Sequence, residues 1–328
     1  MKKNVSLILA SLIVVAFVGF FSYYAYQQAH PKLPSKFDTL KVAYQEDEIT
    51  NLVSIDLADA KGYFKQNGLI IDRKTGLKNI STFVLSGQVD ISQSALAASL
   101  AGFYTNQDLQ LLAITERYPA SMKIVSRYPE DKLSQVKNIA IDRPGGTLQN
   151  MFSVVSKNLG LNTASVNYVV SADAQGTVTL LNKGTVDLAF ISNYDAYKSI
   201  QSKGNLYTIS LDKAYNNVDI PMGIVSTSKT INQKSGDLKK YVASIKESID
   251  YFSSPFHHAE MINFIVSKYG YTKEDAEAAY DTIIDSTGGV KFTADESMLK
   301  DIIQSVKTVN KPTSPNRDIQ QFIAQSFK

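Results

Sequence analysis

The chain has 328 residues, with 34 Lys and Arg against 31 Asp and Glu, 44% hydrophobic content and no cysteine. That length calls for two domains or one domain in two lobes, and the absence of thiols excludes a disulfide framework, a thiolate nucleophile, a CxxC redox pair and iron–sulfur ligation. Only His30, His257 and His258 are present, so a Ser-His-Asp triad or a multi-histidine metal site has little to draw on, and neither catalysis nor a cofactor is expected.

Residues 1–36 hold four lysines and no acid, which leaves 30 basic against 31 acidic residues in the remainder. Those lysines are scattered, and no basic stripe interleaves with aromatics, so a nucleic-acid partner is not expected. Lys2 and Lys3 precede Val5 to Phe21, an uncharged apolar run followed by Tyr23, Tyr24 and Tyr26. Such a segment is an export signal or a membrane anchor. Its length, the lack of a clear small-x-small cleavage site and the belt of tyrosines favour an anchor, with the body outside the cytoplasmic membrane. With no cysteine in the chain, attachment through a lipidated export signal is excluded.

Leu40 to Tyr44 is a short apolar run suited to a buried strand, and Asn51 to Gln66 has helical spacing that ends near Gly68. A helix around Ile80 to Leu85 and a strand at Val89 to Ile91 follow. A second helix is expected to begin at Ser92-Gln93-Ser94 and run to Phe103, with Leu109 to Ile114 as the next strand. The pattern repeats: strand Asn138 to Asp142, a helix capped by Thr147 and closed near Gly160, strand Tyr168 to Val170, a helix to about Asn182, and strand Val186 to Ile191. Strands alternating with helices imply parallel sheets with crossovers. The stretch Leu85 to Ile91 is echoed by Leu181 to Leu188, each reading helix, glycine stop, Val-Asp, apolar strand. After Asp219 to Val225 the character becomes helical, with an apolar stripe through Leu238, Tyr241, Ile245, Ile249 and Phe252 that reads as core, and a capping box at Thr272-x-x-Asp275. His257 and His258 are neighbours on a helix and point about 100° apart, so they read as surface and not as a metal pair.

The segment Ala60-Lys-Gly62-Tyr63-Phe64-Lys-Gln-Asn-Gly68-Leu69 resembles the A-x-x-G-Y/F-F-x-x-x-G-L segment of extracytoplasmic solute-binding proteins of the nitrate/sulfonate/taurine and thiamine-precursor (SsuA/THI5-like) group. The resemblance continues through Leu85 to Asp90, Leu111 to Arg127, Lys137 to Thr147, Leu181 to Leu188 and Ile220 to Val225. It implies an α/β, type II periplasmic-binding-protein fold: two α/β lobes, two chain crossings as a hinge, and a ligand cleft between the lobes. The expected division is 1–36 for the anchor and linker, 37–120 plus 223–328 for lobe 1 with the C-terminal helices packed mainly on it, and 121–222 for lobe 2. The implied partners are a small-molecule solute and an ABC permease with its ATPase, with the membrane reached through the N-terminal segment and the chain a monomer. Many members of the group are lipoproteins, and this chain departs from them only in its attachment.

In open α/β sheets ligands bind beyond the carboxyl ends of the strands, where helix N-termini present free N–H groups. That rule selects Gln45, Glu46 and Asp47 after the first strand, and Ser92, Gln93 and Ser94 at a helix start. It also selects Arg143, Gly145, Gly146 and Thr147, whose glycines would allow close backbone approach, and Asn193, Tyr194 and Asp195 in the second lobe. Arg117 at the implied hinge and Arg143 could fork onto a sulfonate, carboxylate or nitrate. The acids Glu46, Asp47 and Asp195 suit amine or heterocyclic N–H donors instead, and Tyr118 and Tyr194 could stack on a ring. Both ligand chemistries stay open. An enzyme like the pyrimidine synthase of thiamine biosynthesis, which carries a cysteine-rich motif and works in the cytoplasm, is disfavoured by the missing cysteines and the export segment. A membrane-tethered sensor is disfavoured by the near absence of a cytoplasmic portion.

Overall fold

The computed structural model describes residues 34, 36–45, 49–75, 80–120, 122–163, 165–171, 173–201 and 205–327. The expected membrane segment and the acids Glu46 and Asp47 lie outside these residues. Among the described residues no helix is long and apolar enough to cross a membrane.

Among the described residues ten strands form two five-stranded sheets. The first holds β1 (Asp38–Tyr44), β2 (Leu69–Lys74), β3 (Ile91–Ala95), β4 (Gln110–Glu116) and β10 (Met222–Ser226), in the order β2-β1-β3-β10-β4. The second holds β5 (Lys123–Ser126), β6 (Asn138–Ile141), β7 (Asn167–Val170), β8 (Leu188–Ile191) and β9 (Tyr207–Ile209), in the order β7-β6-β8-β5-β9. The two orders have the same plan. In each sheet four strands run in one direction, and the remaining one, β10 or β5, enters antiparallel from the segment that has just crossed between the lobes. The crossings are therefore the links from β4 to β5 and from β9 to β10.

The sequence echo has a structural counterpart. Gly87 and Gly184 both sit at φ 72, a left-handed conformation that glycine adopts without steric cost. The aspartates that follow then reach equivalent strands of their own sheets, β1 and the start of β6. Asp90 accepts from the Lys41 N–H at 2.8 Å, and Asp187 accepts from those of Lys137 and Asn138 at 3.0 and 2.9 Å. Both carboxylates lie at the start of a strand, the end of the sheet away from the cleft.

Helices cover both faces of each sheet. In lobe 1 the helix Ser228–Ser253, interrupted at Lys234, packs on Ile49–Ala60 and buries Leu238, Tyr241, Ile245 and Phe252, as the stripe requires. In lobe 2 the helix Thr147–Val155 buries Met151, Phe152 and Val155. Covering an aromatic such as Phe152, which is 0% exposed, contributes about 1.5–3 kcal/mol.

One expectation is corrected. Ser92, Gln93 and Ser94 do not open a helix; they lie on β3, and the helix starts at Leu96. Gln93 is 0% exposed and is held by buried partners, accepting from the Tyr241 hydroxyl at 3.0 Å and donating to Ser54 Oγ at 3.3 Å. Among the C-terminal helices one bridges the two sheets. Helix Lys300–Asn310 packs on Leu96–Phe103 of lobe 1 and on Thr147–Val155 of lobe 2. It also joins a single apolar cluster that runs from Leu100 and Phe103 through Tyr118 and Met122 to Ile139 and Phe152.

Candidate functional site

The carboxyl ends of the parallel strands in both sheets open on a cavity of about 300 Å³. Lobe 1 contributes Gln45 after β1, Ser94 and Ala95 at the end of β3, Ala98, and Ile80 with Ser81 at a helix start. Lobe 2 contributes Met122, Asp142 and Arg143 after β6, Thr147 and Leu148, then Ser171 and Asp173 after β7, Thr177, Phe190 and Ser192. The volume matches a small organic molecule, and the wall mixes hydroxyls and carboxylates with apolar carbon.

The Arg143–Thr147 turn shows how the sequence builds one side of this wall. Asp142 Oδ1 accepts from the Leu148 N–H at 3.2 Å, so the carboxylate sits on the N-terminus of helix Thr147–Val155. Arg143 lies 3.4 Å from the other oxygen of the same carboxylate. The two glycines were expected to admit a ligand, but protein groups fill both positions. A Cβ on Gly146 would lie 2.4 Å from the Asp142 carboxylate oxygens, and one on Gly145 would lie 2.7 Å from Asn310 Nδ2. Asn310 donates to the Gly145 carbonyl at 2.8 Å, which ties the turn to the C-terminal helix. At the next helix start Asp173 is the N-cap, its Oδ1 accepting from the Gly176 N–H at 2.7 Å. Thr177 donates to Ser171 Oγ at 2.8 Å and holds that hydroxyl beside it.

The sequence-derived candidates fall into four groups. Gln45, Ser94, Arg143 and Thr147 line the cavity together. Ser92 and Gln93 are buried in lobe 1, and Gly145 and Gly146 shape the turn behind the wall. Arg117 and Tyr118 belong to the hinge: Arg117 pairs with Asp219 of the other crossing at 2.9 Å, while Tyr118 stacks on Tyr215 at 4.5 Å and donates to Asp285. Burial first, and then the Asp285 carboxylate, push the Tyr118 phenol above its ordinary range. The fourth group, Asn193, Tyr194 and Asp195, lies beside two smaller cavities that share Ser192 with the main one.

Tyr194 ties lobe 2 to the C-terminal helices. Its ring stacks on Tyr271 at 3.8 Å, and its hydroxyl donates to Asp275 at 2.5 Å. Lys198 reaches the same carboxylate at 3.1 Å. Burial would raise the Asp275 carboxyl, but hydrogen bonds from Thr272, Tyr194 and Lys198 hold it below the usual carboxylate range. Burial, and then the bond to Asp275, push the Tyr194 phenol up.

Asp142, Ser171, Asp173, Thr177 and Ser192 were not among the candidates, although they follow β6, β7 and β8 as the strand-end rule requires. Applying that rule to every parallel strand would have found most of them.

The sequence model of the NMT1/THI5-like family matches residues 49–255, more than half of the chain. No curated protein matches it in sequence. Among solved structures the chain is similar to the periplasmic aliphatic sulphonate-binding protein SsuA from Escherichia coli, with 14% identity and a TM-score of 0.64 over 88% of this chain and 92% of that one. A Candida albicans protein described as having the generic periplasmic-binding-protein fold gives 18% identity and a TM-score of 0.67 over 88% and 97%. The periplasmic nitrate-binding protein NrtA from Synechocystis PCC 6803 gives 12% and 0.58 over 89% and 85%. The chain has the periplasmic-binding-protein fold.

Proposed function

Because the chain belongs to the NMT1/THI5-like family, we propose that it is a non-enzymatic extracytoplasmic receptor that captures a small solute by lobe closure and presents it to an ABC permease. The observation that carries this reading is the cavity between the sheets, lined from both lobes by the carboxyl ends of their parallel strands. A ligand held by both walls stabilises the closed arrangement over the open one, which is how binding becomes a shape that a permease can read. In this reading 37–120 with 223–328 and 121–222 are the moving lobes, and residues 1–36 keep the receptor at the membrane.

The neighbours named for sulfonates and nitrate make a sulfonate, taurine or nitrate the first class to test. A thiamine-precursor pyrimidine or another heterocycle is the second reading, and the carboxylates Asp142 and Asp173 in the wall favour it. The test is a thermal-shift panel of these solutes, followed by calorimetry on Arg143→Ala and Thr147→Ala. A solute at about 100 times its dissociation constant stabilises by about 2.7 kcal/mol. Both variants are expected to bind more weakly while melting close to the parent. Unchanged affinity in both removes these side chains from the site.

A further inference from the structure

We infer that the solute carries an ammonium group or other N–H donors, and that Asp142 and Asp173 select for it. The inference rests on the reading of the interlobe cavity as the solute site.

A helix N-terminus ordinarily favours an anion, because its first N–H groups lack partners within the helix. Two helices of lobe 2, Thr147–Val155 and Ala174–Lys183, begin at the cavity wall. In both, the protein has already supplied the anion. Asp142 takes the Leu148 N–H, and Asp173 takes the Gly176 N–H. The turn is shaped around the first of these carboxylates, since only a glycine at 146 leaves room for it.

The charge of the wall points the same way. Among its described lining residues, Asp142 and Asp173 are opposed by Arg143 alone, and Arg143 is 3.4 Å from Asp142. One negative charge is left in excess. A bare oxyanion would enter beside two like charges and find one N–H at each of these helix ends already taken. An ammonium brings three donors and no acceptor, whereas each carboxylate has about four acceptor sites. Among the described residues the Asp173 carboxylate accepts one hydrogen bond, on Oδ1, so its second oxygen has capacity for a solute donor. Ile80, Met122 and Phe190 supply apolar contact for the carbon part.

The experiment uses the full chain in mild detergent and a pair of probes that differ only in the amine, 2-aminoethanesulfonate and ethanesulfonate, with nitrate and 4-aminopyrimidine beside them. The expected result is that an amine-bearing probe raises the melting temperature while ethanesulfonate and nitrate do not. Asp173→Asn keeps an N-cap acceptor and Asp142→Asn keeps an acceptor for Leu148. Each is expected to weaken the amine-bearing probe by about tenfold, or 1.4 kcal/mol, and to leave ethanesulfonate binding equal or stronger. Ethanesulfonate or nitrate binding the parent as tightly as the amine-bearing probes would overturn the inference and leave the receptor function standing. Amine binding that is unchanged in both variants would also overturn it. Stabilisation by none of the four overturns the inference and the solute-site reading together.

Discussion

Replacing Gly146 with alanine tests how the cleft wall is built. The new Cβ would lie 2.4 Å from both Asp142 carboxylate oxygens and 2.6 Å from the carbon between them, so the carboxylate has to swing away and release the Leu148 N–H. Losing such a cap costs about 1 kcal/mol, and forcing a side chain out of a packed position adds about 1–3 kcal/mol. The backbone itself does not object: Gly146 has φ −75 and ψ 179, an extended conformation open to any residue. The stiffer unfolded chain therefore returns about 0.4–1 kcal/mol. The net loss is about 1–3 kcal/mol, a fall of several degrees in melting temperature. In an Asp142→Ala background the cap is already gone and the three atoms nearest the methyl go with it, so the same Gly146→Ala change should stabilise by about 0.4–1 kcal/mol. A double-mutant cycle on melting temperature thus predicts coupling of about 2–4 kcal/mol. Equal costs in the two backgrounds would show that the glycine answers to something other than the carboxylate.

Asp187→Ala removes a carboxylate that accepts from two backbone N–H groups and lies 3.3 Å from Arg127. Hydrogen bonds to charged groups contribute about 1.5–3 kcal/mol each, so the variant should lose about 3 kcal/mol or more in urea denaturation. A loss below that of Asp90→Ala, which frees one backbone N–H, would contradict the account. The tie between Tyr194 and Asp275 should depend on pH at both extremes. Asp275 is held low in the fold, so its contribution is complete above its unfolded pKa and disappears as pH falls below about 4. Tyr194 is pushed up, so its contribution is complete below its unfolded pKa and disappears as pH rises past about 10. Labels on Gln175→Cys and Ala243→Cys, unambiguous in a chain without cysteine, would report the distance between lobes. Two steps in the parent are expected; in Tyr194→Phe the alkaline step should vanish while the acid step stays, because Lys198 still reaches Asp275 at 3.1 Å, and an alkaline step in both would assign that titration elsewhere.

Much of the architecture could be read from local chemistry. The alternation of apolar runs with helical stripes gives the parallel strands of both sheets but not the antiparallel β5 and β10, which enter from the crossings, and the paired Gly and Val-Asp motifs mark equivalent corners because a left-handed turn and a strand-start acceptor are needed twice. The Thr272 capping box is also legible, since its hydroxyl accepts from the Asp275 N–H at 3.1 Å. What is not legible depends on tertiary partners. Ser-Gln-Ser looks like a helix cap, yet it runs as a buried strand because Tyr241, 148 residues away in sequence, satisfies Gln93. Gly145 and Gly146 look like room for a ligand, and the room is taken by Asn310 and Asp142. Arg117 and Tyr118 have side chains suited to a ligand but find Asp219, Tyr215 and Asp285 first. Tyr194 has a ring suited to stacking on a solute, and in the fold it stacks on Tyr271 and donates to Asp275.

Helix Lys300–Asn310 touches both lobes, and Asn310 holds the Gly145 carbonyl. A hinge of two peptide strands alone would let the lobes splay and twist over a wide ensemble, in which the conformation able to bind is a small fraction. Apparent affinity falls in proportion to that fraction. A strap packed on one helix from each side, with an apolar cluster continuous beneath it, removes most of these unproductive orientations before any solute arrives. The restriction matters most for a ligand that fills about 300 Å³, because so small a molecule makes few contacts with which to order a loose pair of lobes.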